Sequence, residues 1–195
     1  MNNGILTTVQ VVEHSGQTVT VSLRRPTLAD LPDRARWMSD PATMAYNAVF
    51  DLPHLTYHRA TGCLDFPREG WADWLDRCAE DAPWRFHAMV DAGGVVVGEA
   101  GFRIEQREAH LHLVIEARQA GRGYGSAALA LVLAAAFARP DVDAVVDGFP
   151  ADRAVAERLF HAHGFVRTGG TVRLARSAYG RTVDPGRTVR VPPAD

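Results

Sequence analysis

The stretch from Leu111 to Arg139 constrains this chain most. A short β-branched and leucine run, Leu111 to Ile115, leads toward a glycine-rich turn, Gly121-Arg122-Gly123-Tyr124-Gly125-Ser126. An amphipathic helical pattern follows at once, with Leu129, Val132, Leu133, Ala136 and Phe137 at helical spacing. Strand, glycine turn and helix in that order form an anion site. Glycines let backbone N–H groups turn toward a phosphate, and the helix N-terminus adds free donors and a favourable dipole. An ATP-type loop requires a lysine, and all 21 Lys+Arg residues here are arginine. A dinucleotide fingerprint needs Gly-x-Gly-x-x-Gly with an acidic residue about 20 positions on. Here the third glycine falls one place early, although Asp143 or Asp147 could serve as the acid, so this reading stays as a weaker alternative.

Composition narrows the class. At 195 residues, with 47% hydrophobic and 23% charged content, the chain is long enough for one substantial core. A net charge of −2 gives no bulk attraction to nucleic acid or an anionic membrane. No apolar run reaches membrane-spanning length, and the opening MNNGILTTVQ lacks a signal-peptide pattern, so a cytoplasmic protein is expected. Cys63 and Cys78 have no metal-like spacing and read as a reduced pair, and no metal site is expected.

Two β-rich runs, Ile5 to Val12 and Thr18 to Arg24, predict a hairpin. A helix is expected from Leu31 to Ala45, broken at Pro41, and another from Glu69 to Ala79. Strands are expected near Arg85 to Val90, Val95 to Ile104, Ala109 to Ile115 and Val142 to Asp147. Asp152 is the expected N-cap of a helix ending at Gly164, before strands at Phe165 to Thr168 and Val172 to Ala175. Residues 1–180 read as a single domain and 181–195 as a basic, proline-containing tail. Residues 46–68 show no period and mix aromatics, histidines and prolines, as a binding loop would.

The tract VIEARQAGRGYGSAALALVLAAAF resembles the acetyl-CoA site of the GCN5-related N-acetyltransferase (GNAT) superfamily, which carries Gln/Arg-x-x-Gly-x-Gly/Ala between its fourth strand and third helix. Val95-Val96-Val97-Gly98-Glu99-Ala100-Gly101 is similar to the family's third strand, and DRAVAERLFHAHGF (152–165) to its fourth helix and closing Gly-Phe. Leu23-Arg24-Arg25-Pro26-Thr27 and LADLPDRARWMSDP resemble the first strand and helix of the ribosomal-protein and spermidine N-acetyltransferase branch. The resemblance implies an α+β, mixed α/β fold. Its central, mostly antiparallel twisted sheet would have about seven strands flanked by about four helices, splayed between the family's fourth and fifth strands.

It further implies N-acetyl transfer from acetyl-CoA to a small-molecule or peptide amine by direct attack in a ternary complex. Nucleic acid and membrane are not expected partners, and the resemblance leaves room for a homodimer. The cofactor would contact Leu113, Val114 and Ile115 through the backbone, the loop Ala120, Gly121, Arg122, Gly123, Tyr124, Gly125 and Ser126, and Phe160. Two positions depart from the pattern: Ala120 replaces the leading Gln or Arg, and Phe160 falls where a general-acid tyrosine is usual. Both departures keep a non-catalytic acyl-CoA-binding module open as an alternative. Because an alkylamine is protonated near neutrality, a base is needed. The candidates are Glu99, His110 and His112, with Glu105 behind them and Asp147 or a water chain as the fallback; strand alternation puts His110, His112 and Val114 on one face. Tyr46, Asn47 and Asp51 are the expected substrate contacts, with Asp51 attracting a cationic amine.

Overall fold

The apolar runs pair as their alternation predicts. β1 (Ile5–Val12) and β2 (Thr18–Arg24) form one antiparallel hairpin, and β3 (Arg85–Ala92), β4 (Val95–Glu105) and β5 (Glu108–Ile115) form an antiparallel meander. β6 (Ala144–Gly148) joins β5 in parallel, and β8 (Thr171–Ala175) and β7 (Val166–Thr168) complete that edge. The computed structural model describes residues 5–12, 17–49, 57–79, 82–182 and 189–190. Within them the sheet has nine strands in the order β7-β8-β6-β5-β4-β3-β2-β1-β9, where β9 (Val189–Arg190) pairs in parallel with β1. β9, inside the stretch read as a tail, is too short to carry a period, which is why it adds to the strands the sequence displays.

Among the described residues six helices flank the sheet: α1 (Leu31–Met38), α2 (Pro41–Met44), α3 (Trp71–Ala79), α4 (Tyr124–Phe137), α5 (Ala154–Ala162) and α6 (Arg176–Thr182). The break at Pro41 is real. Asp40 caps α2 by accepting the Ala42 N–H at 3.0 Å and the Thr43 hydroxyl at 2.7 Å. α5 starts later than expected, with Arg153 rather than Asp152 at its N-cap, because residues 150–153 first make a turn closed by Arg153 N–H to Pro150 O at 3.1 Å.

α4 corrects the amphipathic reading. Ala127, Ala128, Leu129, Leu131, Val132, Leu133, Ala136 and Phe137 are all buried, so apolar residues cover most of its circumference. A helix apolar nearly all round belongs in a core. Its C-terminus is closed by Arg176, which donates to the carbonyls of Phe137 and Val142 at 2.7 Å and to that of Arg139. α4 and Phe160 of α5 pack with Leu111, Leu113 and Ile115 in the main core. Val114 lies in a second cluster with Trp37 and Met38 of α1, Met44 of α2 and Met89, so successive β5 side chains do alternate between the two faces. Cys63 and Cys78 are free thiols, and among the described residues no helix is long and apolar enough to cross a membrane.

Candidate active site

The site begins where the sheet divides. β5 and β6 pair only at Glu108–Ala144, Ala109–Val145 and His110–Val146. Beyond His110, β5 stays with β4 as far as Ile115–Gly98, whereas β6 stays with β8 as far as Gly148–Thr171. Each strand follows its antiparallel partner, and the two halves separate. The backbone of Leu111 to Ile115 therefore has one edge in a ladder and the other facing a gap that ends at Asp147 and Gly148.

The glycine loop sits at the same end. Glu116, only 3% exposed, receives Arg118 at 2.6 Å and also Arg36 of α1, and its N–H donates to Val97 O at 2.9 Å. The Ala117 N–H is held by the Thr43 hydroxyl at 3.0 Å, which ties α2 to the loop. After a 3-10 turn at Ala117–Gln119, Gly121 and Gly123 take φ of +78° and +84°, a region that penalises any side chain. Gly123 is the N-cap of α4 and has no side chain to cap it, so the N–H groups of Tyr124, Gly125 and Ser126 open the helix toward the loop. Gly125 differs from the other two glycines. A Cβ there would meet only Ile115 Cγ1 at 3.7 Å and Leu159 Cδ2 at 3.9 Å, so the fold itself tolerates a side chain at this point. Ala120 and Arg122 are exposed, Tyr124 is buried in the main core, and Ser126 Oγ lies 2.8 Å from His163 Nε2.

On the other face lies a buried polar cluster. Glu99 is 4% exposed and pairs bidentately with Arg34, at 2.7 and 3.2 Å. The Arg34 guanidinium packs into the corner formed by the edge-to-face rings of Phe66 and Trp74, 4.2 and 4.3 Å from the ring centres. His87 Nε2 stands 3.5 Å from Glu99, and its ring stacks on His112 at 4.7 Å. Burial alone would raise the Glu99 pKa, but the Arg34 charge and the contacts from His87 and Arg34 outweigh it and hold the carboxylate well below its usual range. Burial, with His87 adding to it, pushes His112 down to about 3, so its ring is neutral at physiological pH. His110 lies on the same face but is exposed, and Glu105 is paired with Arg103 at 2.6 Å. Arg34 and His87 were not legible as site residues, because pairing with Glu99 needs contacts across the sheet face that no local pattern encodes.

The two sides meet at Tyr46, which lies in the 3-10 turn Ala45–Val49 after α2. The Arg153 guanidinium stands 5.3 Å from its ring centre. Burial and then the negative charges of Glu99 and Asp147 raise the Tyr46 phenol above its ordinary range, against the opposing effect of Arg153 and Arg34. Asn47 is buried and donates to Gly62 O at 3.1 Å, an internal tie. Asp51 lies outside the described residues. Asp147 is half-buried at the mouth of the gap; burial raises its carboxyl to about 7, opposed by the Gly148 N–H donated to Oδ1 at 2.7 Å.

A family model described as acetyltransferase (GNAT) domain matches residues 20–166. The chain belongs to the GNAT acetyltransferase family. No curated protein matches its sequence. The GNAT fold is shared with Mycobacterium smegmatis RimJ in complex with CoA-disulfide, at 15% identity and a TM-score of 0.64, covering 89% of this chain and 87% of that one. It is also shared with spermidine N-acetyltransferase from Vibrio cholerae in complex with CoA and spermine, at 16% identity and a TM-score of 0.66, covering 82% and 97%. RimL, a ribosomal L7/L12 alpha-N-protein acetyltransferase in complex with coenzyme A, matches at 13% identity and a TM-score of 0.61, covering 81% and 95%.

The two departures from the GNAT pattern now have positions. Ala120 opens the loop on the surface, with Arg122 exposed beside it. Phe160 is 4% exposed, its ring 5.1 Å from Phe149 and 4.9 Å from Phe165, so an aromatic cluster stands at the position that the resemblance gives to a general-acid tyrosine.

Proposed function

We propose that the protein transfers the acetyl group of acetyl-CoA to a primary amine. The observation that carries this reading is the coincidence, at one end of the sheet, of an open β5 edge with the α4 N-terminus. The residues fit the cosubstrate. A diphosphate can approach the N–H groups of Tyr124, Gly125 and Ser126 over a glycine that the fold does not itself require. An amide-bearing arm can then add to the backbone of Leu113 to Ile115 as an extra strand would. A β5 backbone N–H in that stretch would polarise the thioester carbonyl and hold the charge that develops on its oxygen. The amine enters from the side of Tyr46 and Arg153. RimJ in complex with CoA-disulfide and spermidine N-acetyltransferase in complex with CoA and spermine share this fold, which supports CoA as the ligand here.

Turnover of acetyl-CoA with a panel of polyamines, amino acids, aminoglycosides and peptide N-termini, read as thiol release against a no-amine control, tests the reading. At least one amine should raise the rate well above the control. Thiols have pKa of about 8.5, so a thiolate can leave without a donated proton, and activity should reach an alkaline plateau with no fall between roughly pH 8 and 9. Phe160 favours a second reading, an acyl-CoA-binding module that turns nothing over. Turnover created in Phe160→Tyr from a wild type that binds CoA but acetylates no amine would decide for that module.

A further inference from the structure

A half-buried carboxyl stands at the mouth of the β5–β6 gap. Asp147 ends the apolar run Ala144–Val146 of β6, one residue beyond the last β5–β6 pair, His110–Val146. It therefore lies where the strands part, beside the β5 edge at which the thioester would be held. Gly148 N–H fixes one carboxyl oxygen, and among the described residues no cation pairs with it. The other candidate bases are differently placed. Glu99 is locked to Arg34, His112 is packed on His87 with a buried Nε2 that has no partner, and Glu105 is paired at the far end of β4.

We propose that Asp147 is the catalytic base, taking a proton from the substrate ammonium at the mouth of the β5–β6 gap. This rests on the acetyl-transfer reading. The ammonium gives one proton to the Asp147 carboxylate, and the freed nitrogen pair forms the N–C bond to the acetyl carbon. The C–S bond breaks with its electron pair on sulfur. The nitrogen then loses its second proton to the departing thiolate, leaving amide and thiol, and Asp147 releases its proton to water. A carboxyl raised to about 7 by burial is matched to this work, because it is half ionised at neutrality yet far more basic than an ordinary aspartate. The same partial desolvation lowers the pKa of the entering ammonium and shortens the uphill transfer. The groups that bear on this site are Tyr46 on the turn after α2, Arg153 before α5, the neutralised Arg34–Glu99 pair behind Tyr46, and His110 on β5 opposite Val146.

Asp147→Asn tests the proposal through three readouts. With an amine that wild type acetylates, kcat at pH 7 should fall by about a hundredfold or more, while the melting-temperature rise caused by CoA is retained. The wild-type rise of kcat/KM through about pH 7 should be missing from the variant, and Asp147→Glu should restore part of it. The third readout needs no substrate. A raised carboxyl gives the fold stability that is full below the unfolded value of 3.8 and is lost as pH rises through about 7. Asn keeps the uncharged form, so the variant should melt above wild type at pH 8, with the gap closing toward pH 4. Retained kcat, a change confined to KM, or a persisting limb near pH 7 in Asp147→Asn would overturn the proposal while leaving acetyl transfer intact. A wild type that binds CoA but acetylates no amine would overturn both.

Discussion

Glu99→Ala is expected to destabilise the protein by about 3–5 kcal/mol, because it leaves the Arg34 guanidinium buried without its carboxylate. For a chain of this size that lowers the melting temperature by roughly 6–20 °C. Arg34→Ala should cost a similar amount, since it strands Glu99 and removes the cation packed against Phe66 and Trp74. Glu99→Gln should lose less, because an amide keeps one acceptor toward Arg34. The pH dependence has a definite sign. Glu99 is held below its ordinary value of 4.5, so the contribution of the pair is full at neutral pH and is lost as the solution is acidified below that value. Thermal melts of the three variants at pH 7 measure this. A Glu99→Ala protein that melts like wild type but has lost turnover would contradict the structural role and make Glu99 the base.

Gly125→Val is expected to abolish CoA binding without unfolding the protein. The position has room for a side chain, since a Cβ makes only ordinary contacts with Ile115 and Leu159. A branched side chain there would stand between the α4 N-terminus and an approaching diphosphate. Each hydrogen bond to a charged group is worth about 1.5–3 kcal/mol, so losing two weakens binding by about a hundredfold or more. Gly121 and Gly123 make poorer tests, because their φ of +78° and +84° would strain any replacement and mix a folding defect with a binding one. Circular dichroism of Gly125→Val beside a CoA titration separates the two effects. Unchanged CoA affinity would remove the diphosphate from this loop.

The contrast between these sites explains what the sequence could reveal. The loop was legible because its chemistry is local: strand, glycines and helix start are contiguous, and positive φ at Gly121 and Gly123 is a demand that only the backbone makes. The hairpins were legible from alternation, and so was the shared face of His110, His112 and Val114. Leu129, Val132, Leu133, Ala136 and Phe137 fall at amphipathic spacing, whereas Ala127, Ala128 and Leu131 outside that set are buried too. The turn between β4 and β5 carried no glycine signal, since Gln106 and Arg107 adopt φ of +47° and +68°, with Arg107 held by Asp143 at 2.6 and 2.7 Å. The acid–base residues depend on distant partners. Glu99 gave no sign of Arg34, 65 positions away, and Asp147 reads as a strand-end carboxylate until the parting of β5 and β6 is seen.

CoA is expected to lie along β5 and at the start of α4, and calorimetric titration of the wild-type protein with CoA, NAD and ATP tests this most directly. CoA should bind saturably with one site per chain, NAD and ATP should give little heat, and CoA should stabilise the fold by about 2.7 kcal/mol at a hundred times its dissociation constant, read as a raised melting temperature. Tight binding of NAD with none of CoA would contradict it and return the loop to the dinucleotide reading.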